Sequence, residues 1–210
     1  MGRVASRGRG RLFVISAPSG AGKTSLVRAL MTREPGLRFS ISCTTRPRRE
    51  NEVHGRDYFF VSHDEFQRMA AAGEFLEHAR VFDNHYATPR RQVEEALAAG
   101  QDLILEIDWQ GAGQVREALP ECVSIFILPP SRGELERRLR ARGTDTEQVI
   151  QRRLADAAAD ITHWREFDYV VVNDDFERAT SELAQVIRGG GAAARSDRQG
   201  LEGFVARLLA

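Results

Sequence analysis

Short apolar runs recur along the chain at wide intervals. Leu12–Ile15, Asp102–Ile107, Val123–Leu128 and Tyr169–Val172 are four to six residues long and mostly apolar at successive positions, as strands covered on both faces require. Amphipathic stretches separate them. Ser25–Met31 has helical character, Thr88 can cap a helix that starts at Pro89 and runs to Gly100, Ser131 and Glu134 form a capping box, and Phe176–Arg188 is the last of the series. Strands alternating with helices predict an α/β fold, a doubly wound parallel sheet flanked by helices.

Two stretches break this rhythm. Residues 37–86 hold β-rich pieces at Phe39–Cys43, Tyr58–Val61 and Phe75–Phe82 around a short helix opened by a Ser62–Glu65 capping box, the pattern of a small mixed sheet. Residues 131–153 are dense in arginine around a Gly143–Thr144 break and predict a mobile helical flap. The pieces 11–36, 87–130 and 154–188 then form the parallel core. Residues 1–10 read as a basic leader. In the tail, 189–210, Leu201, Phe204, Val205, Leu208 and Leu209 follow three glycines at helical spacing, and no function attaches to them.

Composition narrows the class. At 210 residues, 42% hydrophobic and 29% charged, the chain suits one globular core with insertions. No apolar run approaches the roughly 18 residues a membrane helix needs, and the leader lacks the apolar stretch of a secretory signal. A cytoplasmic protein with no membrane partner is expected. The formal net charge of zero argues against nucleic acid as a partner. Cys43 and Cys122 stand outside any metal-binding spacing, so two free thiols are expected. Of 30 basic residues only Lys23 is lysine, and it falls inside a glycine-rich turn where a compact point charge has a specific use.

That turn, Ser19-Gly20-Ala21-Gly22-Lys23-Thr24, lies between an apolar strand and a helix. Its glycines let backbone N–H groups curl around an anion, and the helix dipole adds to them. Lys23 can place charge beside a transferred phosphoryl group, and the Thr24 hydroxyl can ligate magnesium. The plain alternative is a glycine turn that only caps a helix. Glu106 and Asp108, two apart at the carboxyl end of a strand, should point to one face and could orient magnesium through water or accept from a base. Pairing with arginine is the alternative.

Three arginines, Arg46, Arg48 and Arg49, crowd four residues after a β-rich piece and could clamp a phosphomonoester; they could equally be a solvated basic loop. Tyr58 and Tyr86 can donate hydroxyls to the same phosphate or fill a core. Arg138 and Arg142 share a helix face, with Arg153 on the next helix. They can close over polyphosphate, or Glu134 and Glu136 can pair with Arg138 and Arg140 on an ordinary exposed helix.

Taken together, these segments resemble the guanylate kinase family over about Arg11 to Arg188. The resemblance rests on Ala-Pro-Ser-Gly-Ala-Gly-Lys-Thr at 17–24, Ser-x-Thr-Thr-Arg at 42–46, Glu52 to Tyr58, Glu74-Phe75-Leu76-Glu77, Ile107-Asp108-Trp109-Gln110-Gly111, Pro129-Pro130-Ser131, Arg142-Gly143-Thr144 and Val172-Asn173-Asp174. It implies a P-loop NTPase core, a mixed-sheet GMP-binding insertion over 37–86 and a helical lid over 131–153. The implied reaction is phosphoryl transfer from ATP to GMP with Mg2+, without a covalent intermediate. The implied ATP site is Ser19, Gly20, Ala21, Gly22, Lys23, Thr24, Ser25, Arg138, Arg142 and Asn173. For GMP the family implies Ser42 and Glu77 at the base, Arg46, Arg49, Tyr58 and Tyr86 at the phosphate, and Thr88, Glu106 and Asp108 nearby. Lys23, Arg46, Arg138, Arg142 and Arg153 carry the implied catalysis, with Thr24 and, through water, Asp108 on magnesium.

The chain departs from the family pattern at four places. Ala17 stands where glycine is usual, Pro47 moves one place while Arg46 and Arg49 keep their spacing, Tyr86-Ala87-Thr88 replaces Tyr-Gly-Ser/Thr, and Glu106 replaces an aspartate. Two rival readings remain at this level: a P-loop kinase for another phosphorylated acceptor, and a domain that recognises phosphorylated peptides.

Overall fold

The computed structural model describes residues 8–81, 83–141 and 146–210. Arg142, the Gly143–Thr144 break, Phe82 and the first seven residues of the leader lie outside them. In chain order the chain forms β1 (Leu12–Ser16), α1 (Lys23–Arg33), β2 (Leu37–Phe39), β3 (Cys43–Thr44), β4 (Phe59–Phe60) and α2 (His63–Ala71). There follow β5 (Phe75–Val81), β6 (Asn84–Pro89), α3 (Arg90–Ala98), β7 (Asp102–Glu106) and α4 (Trp109–Ala118). The last elements are β8 (Val123–Leu128), α5 (Arg132–Arg140), α6 (Glu147–Ile161), β9 (Tyr169–Val172), α7 (Phe176–Ile187) and α8 (Leu201–Leu209).

These elements fall into two compact units, Met1–Val14 with Gly36–Val123, and Ile15–Pro35 with Ser124–Ala210. β1 is divided between them. In the first unit β2, β7 and β1 lie side by side in that order, with β2 parallel to β7 and Leu37 opposite Asp102. The same unit holds a second sheet of order β4-β3-β6-β5. It is mixed: β3 runs parallel to β4 and antiparallel to β6, which forms a hairpin with β5. α2 closes one face of this sheet, and Phe66 and Phe75, with ring centroids 4.8 Å apart, centre a core shared with Cys43 and Ala87.

In the second unit the order is β1, β8, β9, and β8 and β9 pair in parallel from Ile125 opposite Tyr169 to Leu128 opposite Val172. Both are apolar because both faces are covered: Ile125, Phe126, Ile127, Leu128, Val170 and Val171 are fully buried. α5 and α6 pack through Leu135, Leu139, Ala157 and Leu154. Leu201, Val205 and Leu208 bury the apolar stripe of α8, so the helical spacing in the tail reports a packed helix. The segment before it follows β9, where Arg195 bridges Tyr169 and Arg198 Nη1 donates to the Val170 carbonyl. No described helix is long and apolar enough to cross a membrane.

The parallel sheet flanked by helices and the smaller mixed sheet match the expected fold class, and three local expectations need correction. The strand expected over Phe39–Cys43 is two strands in different sheets, since β2 pairs with β7 while β3 joins the mixed sheet. Thr88 does not cap a helix: Pro89 is the cap residue of α3, and the Thr88 hydroxyl is committed to Glu77. Asp108 is not on a strand with Glu106. β7 ends at Glu106, and Asp108 is the N-cap of α4, so strand parity says nothing about where its carboxylate points.

Candidate active site

In the second unit the apolar strand β1 ends in the glycine-rich turn, and α1 starts at Lys23. Gly20 and Gly22 have φ of 91° and 93°, values that a side chain disfavours. Gly22 is constrained twice, because a Cβ there would lie 2.4 Å from Asn173 Nδ2. The turn is held from behind through one carbonyl: Asn173 Nδ2 donates to the Ala21 oxygen at 2.7 Å and Arg138 Nη1 donates to it at 3.2 Å. Arg138 Nη2 also donates to the Asn173 carbonyl at 3.0 Å, and its Nε to Glu134 at 2.7 Å. Helix α5, the turn and the end of β9 therefore share one network within this unit. Glu134 is held down to about 2 by Arg137 and then Arg138, so it stays ionised at neutral pH.

Arg138 makes the i,i+4 pair with Glu134 that the ordinary-helix alternative describes and also donates to the glycine-rich turn at Ala21. Arg140 follows the ordinary reading, paired with Glu136 at 2.7 Å. Arg153 is half-buried on α6. Asn173 is buried, and its amide is engaged with the turn.

In the first unit the mixed sheet carries Glu77 on β5 and Tyr86 and Thr88 on β6, while Glu106 ends β7 of the parallel sheet. Glu77 on β5 is only 3% exposed, and Thr88 on the neighbouring β6 donates its hydroxyl to Glu77 Oε1 at 2.6 Å. The second oxygen, Oε2, rests against the first turn of α4, where a Cβ on Gly111 would be 2.4 Å away. Asp108 caps that turn, its Oδ1 accepting from the Gly111 N–H at 2.9 Å and its Oδ2 from Gln110 Nε2 at 3.1 Å. A helix N-terminus with a glycine at the point of approach suits a buried carboxylate, because the helix dipole favours negative charge there.

β3 leads into the arginine loop. Thr44 Oγ1 donates to the His85 carbonyl and accepts from the Arg46 N–H, at 3.0 and 3.1 Å, which anchors the loop to β6. The Arg46 guanidinium lies over the Tyr58 and Phe60 rings, 5.5 and 5.8 Å from their centroids, and Tyr58 and Tyr86 meet edge to face at 6.1 Å. Burial, and next the Glu106 carboxylate, push the Tyr58 hydroxyl above its ordinary value, so it remains a donor. Arg46, Tyr58 and Tyr86 thus form one cradle. Arg49 projects into solvent with its side chain 75% exposed, and half-buried Ser42 directly precedes β3.

Sequence reasoning assigned no role to two residues of this half. Gly111 gives Glu77 its space, a signal that only the fold can reveal. Glu52 pairs with Arg46 at 2.6 Å, and its signal was an acidic residue six positions after an arginine in a loop. Among the described residues no group of three His, Cys, Asp or Glu side chains could hold a metal. The Thr24 hydroxyl, exposed in the first turn of α1, fits magnesium as a single protein ligand, since this ion takes most of its coordination from phosphates and water.

A glycine-rich turn that opens a helix, with an arginine-bearing helix against it, and a mixed sheet that carries a buried carboxyl beside Thr88 and leads into an arginine–tyrosine cluster suit a nucleoside monophosphate kinase. The family follows from the whole chain. A guanylate kinase family model matches residues 9–189, and the chain belongs to that family. It is 50% identical over 204 residues to the guanylate kinases of Salmonella paratyphi A and Escherichia coli, covering 96% of this chain and 99% of each relative. It is also similar to the crystal structure of guanylate kinase from Anaplasma phagocytophilum, at 35% identity and a TM-score of 0.73, over 97% of this chain and 98% of that one.

The Gly111 contact yields a prediction. In Gly111→Ala the new methyl collides with Glu77 Oε2, and because Thr88 holds the other oxygen the carboxylate must tilt. We expect kcat/KM for GMP to fall roughly 10- to 100-fold, the scale of an ångström-sized misplacement, with KM for ATP unchanged. Wild-type GMP kinetics in this variant would mean that Glu77 need not stay where the structure has it.

Proposed function

We propose that the chain transfers the γ-phosphoryl group of ATP reversibly to GMP, giving ADP and GDP. The observation that carries this reading is the buried Glu77 carboxylate, oriented by Thr88. Guanine presents N1–H and an exocyclic NH2 as adjacent donors that one carboxylate accepts together, whereas adenine offers an acceptor at N1 and would leave the carboxylate without its partner. Ser42 is assigned to the same base. Arg46, Arg49, Tyr58 and Tyr86 are assigned to the GMP phosphate, with Glu106 and Asp108 at the edge of that pocket.

Ser19 to Ser25, with Arg138, Arg142 and Asn173, are assigned to ATP, and Arg153 joins Lys23, Arg46, Arg138 and Arg142 in the assigned catalysis. Backbone N–H groups of the turn hold the polyphosphate, and the arginines neutralise charge as it spreads over the migrating group. A GMP phosphate oxygen attacks the γ-phosphorus in line. The bond from that phosphorus to the β,γ-bridging oxygen breaks, and its electron pair leaves on ADP. No protein nucleophile enters, because positioning and charge neutralisation suffice for this transfer. Magnesium, when bound, supplies positive charge to the β- and γ-phosphate oxygens; Thr24 is its assigned direct ligand, and Asp108 is assigned a contact through water.

A coupled assay of ADP formation with GMP, AMP, CMP, UMP and ribose phosphates tests the reading. GMP should be turned over fastest by a wide margin, and preference for any non-guanine acceptor would refute it, as would a phosphorylated side chain trapped on the pathway. For Lys23→Met we expect kcat to fall by about 10²-fold or more, as loss of an electrostatic stabiliser does. GMP affinity should change little. Lost GMP affinity with normal kcat would contradict the role given to Lys23.

A further inference from the structure

The arginine loop is a ring closed by one residue. Glu52 Oε1 accepts from Arg46 Nη2 at 2.6 Å, and its Oε2 accepts from the Arg49 backbone N–H at 2.8 Å. The Glu52 backbone takes part as well: its carbonyl accepts from Arg48 Nη1 at 2.8 Å and its N–H donates to the Arg49 carbonyl at 3.1 Å. One carboxylate therefore fixes the guanidinium of the first clamp arginine and the main chain of the second. The Arg46 and Glu52 side chains are 14% and 16% exposed, so the pair is largely shielded from water and from screening by salt. Arg46 Nη1 donates to the Pro47 carbonyl at 2.8 Å, which ties the displaced proline into the same ring.

We propose that Glu52 is a positioning residue for the acceptor phosphate, pre-setting Arg46 and Arg49 as a clamp before GMP arrives. The proposal rests on the GMP reading above. It goes beyond that reading by giving a negatively charged side chain a constructive part in binding a negatively charged ligand. A guanidinium has five N–H donors. Glu52 and Pro47 take one each, and the planar group turns a face to Tyr58 and Phe60, so donors remain for phosphate while its orientation is set. A free arginine side chain loses considerable rotamer freedom on binding, and a pre-oriented one loses less. Arg46, and next the Arg49 N–H among the favourable contacts, hold the Glu52 carboxyl below the ordinary range, so the brace is ionised at neutral pH.

Simple charge counting and the positioning account predict opposite signs. Removing a negative charge beside a phosphate should tighten binding if only net charge mattered. Positioning predicts weaker binding. In Glu52→Gln, which keeps size but leaves one acceptor oxygen for two donors, KM for GMP should rise about tenfold, the scale of one lost charge-assisted hydrogen bond. kcat and KM for ATP should stay within about threefold, and so should the inhibition constant of guanosine, which carries the base without the phosphate. Glu52→Asp, with the charge kept and the reach shortened by a methylene, should fall between the two.

The measurements use the full chain, with melting temperature recorded beside them. Unchanged or tighter GMP binding in Glu52→Gln overturns the proposal. Equal losses for GMP, guanosine and ATP with a lower melting temperature overturn it too, because Glu52 would then be a general structural carboxylate. Wild-type protein that fails to phosphorylate GMP would instead sink the functional reading, whatever Glu52 does.

Discussion

Negative charge withdrawn from water has to be met by donors already in place, because assembling them at the moment of need forfeits most of their value. Two helix starts in this chain carry a glycine where an acidic group sits or is assigned, before α1 and within the first turn of α4. At α1 the glycine is Gly22, whose left-handed backbone and contact with Asn173 leave no room for a side chain. At α4 it is Gly111, and the group seated there is one of the chain's own carboxyls, Glu77. Each helix contributes about 0.3 to 1 kcal/mol through its dipole at an exposed site and up to ~2 when partly buried. Neither sum would stabilise an isolated buried charge, so each site adds specific hydrogen bonds: Thr88 on Glu77, and the turn's own N–H groups for the phosphate assigned there.

The arginines follow the same logic with the sign reversed. Arg138 is spread over Glu134, Ala21 and Asn173, and Arg46 over Glu52, Pro47 and two aromatic rings. Both are half-buried, where an unpaired guanidinium would be costly, and each carboxylate partner lies within six residues in the chain. The bias toward arginine suits this use, since a planar fork can be held by two partners and still present donors to a third. Lys23 is the exception, a compact charge at the first turn of α1.

The strand, turn and helix around Lys23 were legible because every signal there is local: an apolar run, two obligatory glycines and a helix start. The capping boxes at Ser62 and Ser131 were legible for the same reason, and both hydroxyls accept from the backbone N–H three residues on. Thr88 misled because a threonine before proline looks like a cap, while the buried carboxylate that claims its hydroxyl lies eleven residues away on another strand. β6 was missed because Asn84-His85-Tyr86 lacks an apolar rhythm and is a strand only through pairing with β5 and β3. The pair Glu106 and Asp108 was misplaced because β7 ends at Glu106, two residues too soon for the parity rule. Gly111 carried no readable sign of its task, and Glu52 only an acidic residue six positions after an arginine in a loop, since both depend on which atoms the fold brings opposite them.

If Glu77 reads guanine, Glu77→Gln should change acceptor choice rather than stability. The substitution keeps size and sets an NH2 donor against the donor edge of the base. The account predicts a loss of about 2 to 4 kcal/mol in kcat/KM for GMP, little change for AMP and a melting temperature near that of the wild type. An unaltered GMP-to-AMP ratio, or equal losses for both acceptors with a lower melting temperature, would show that Glu77 is a structural carboxylate and does not choose the base.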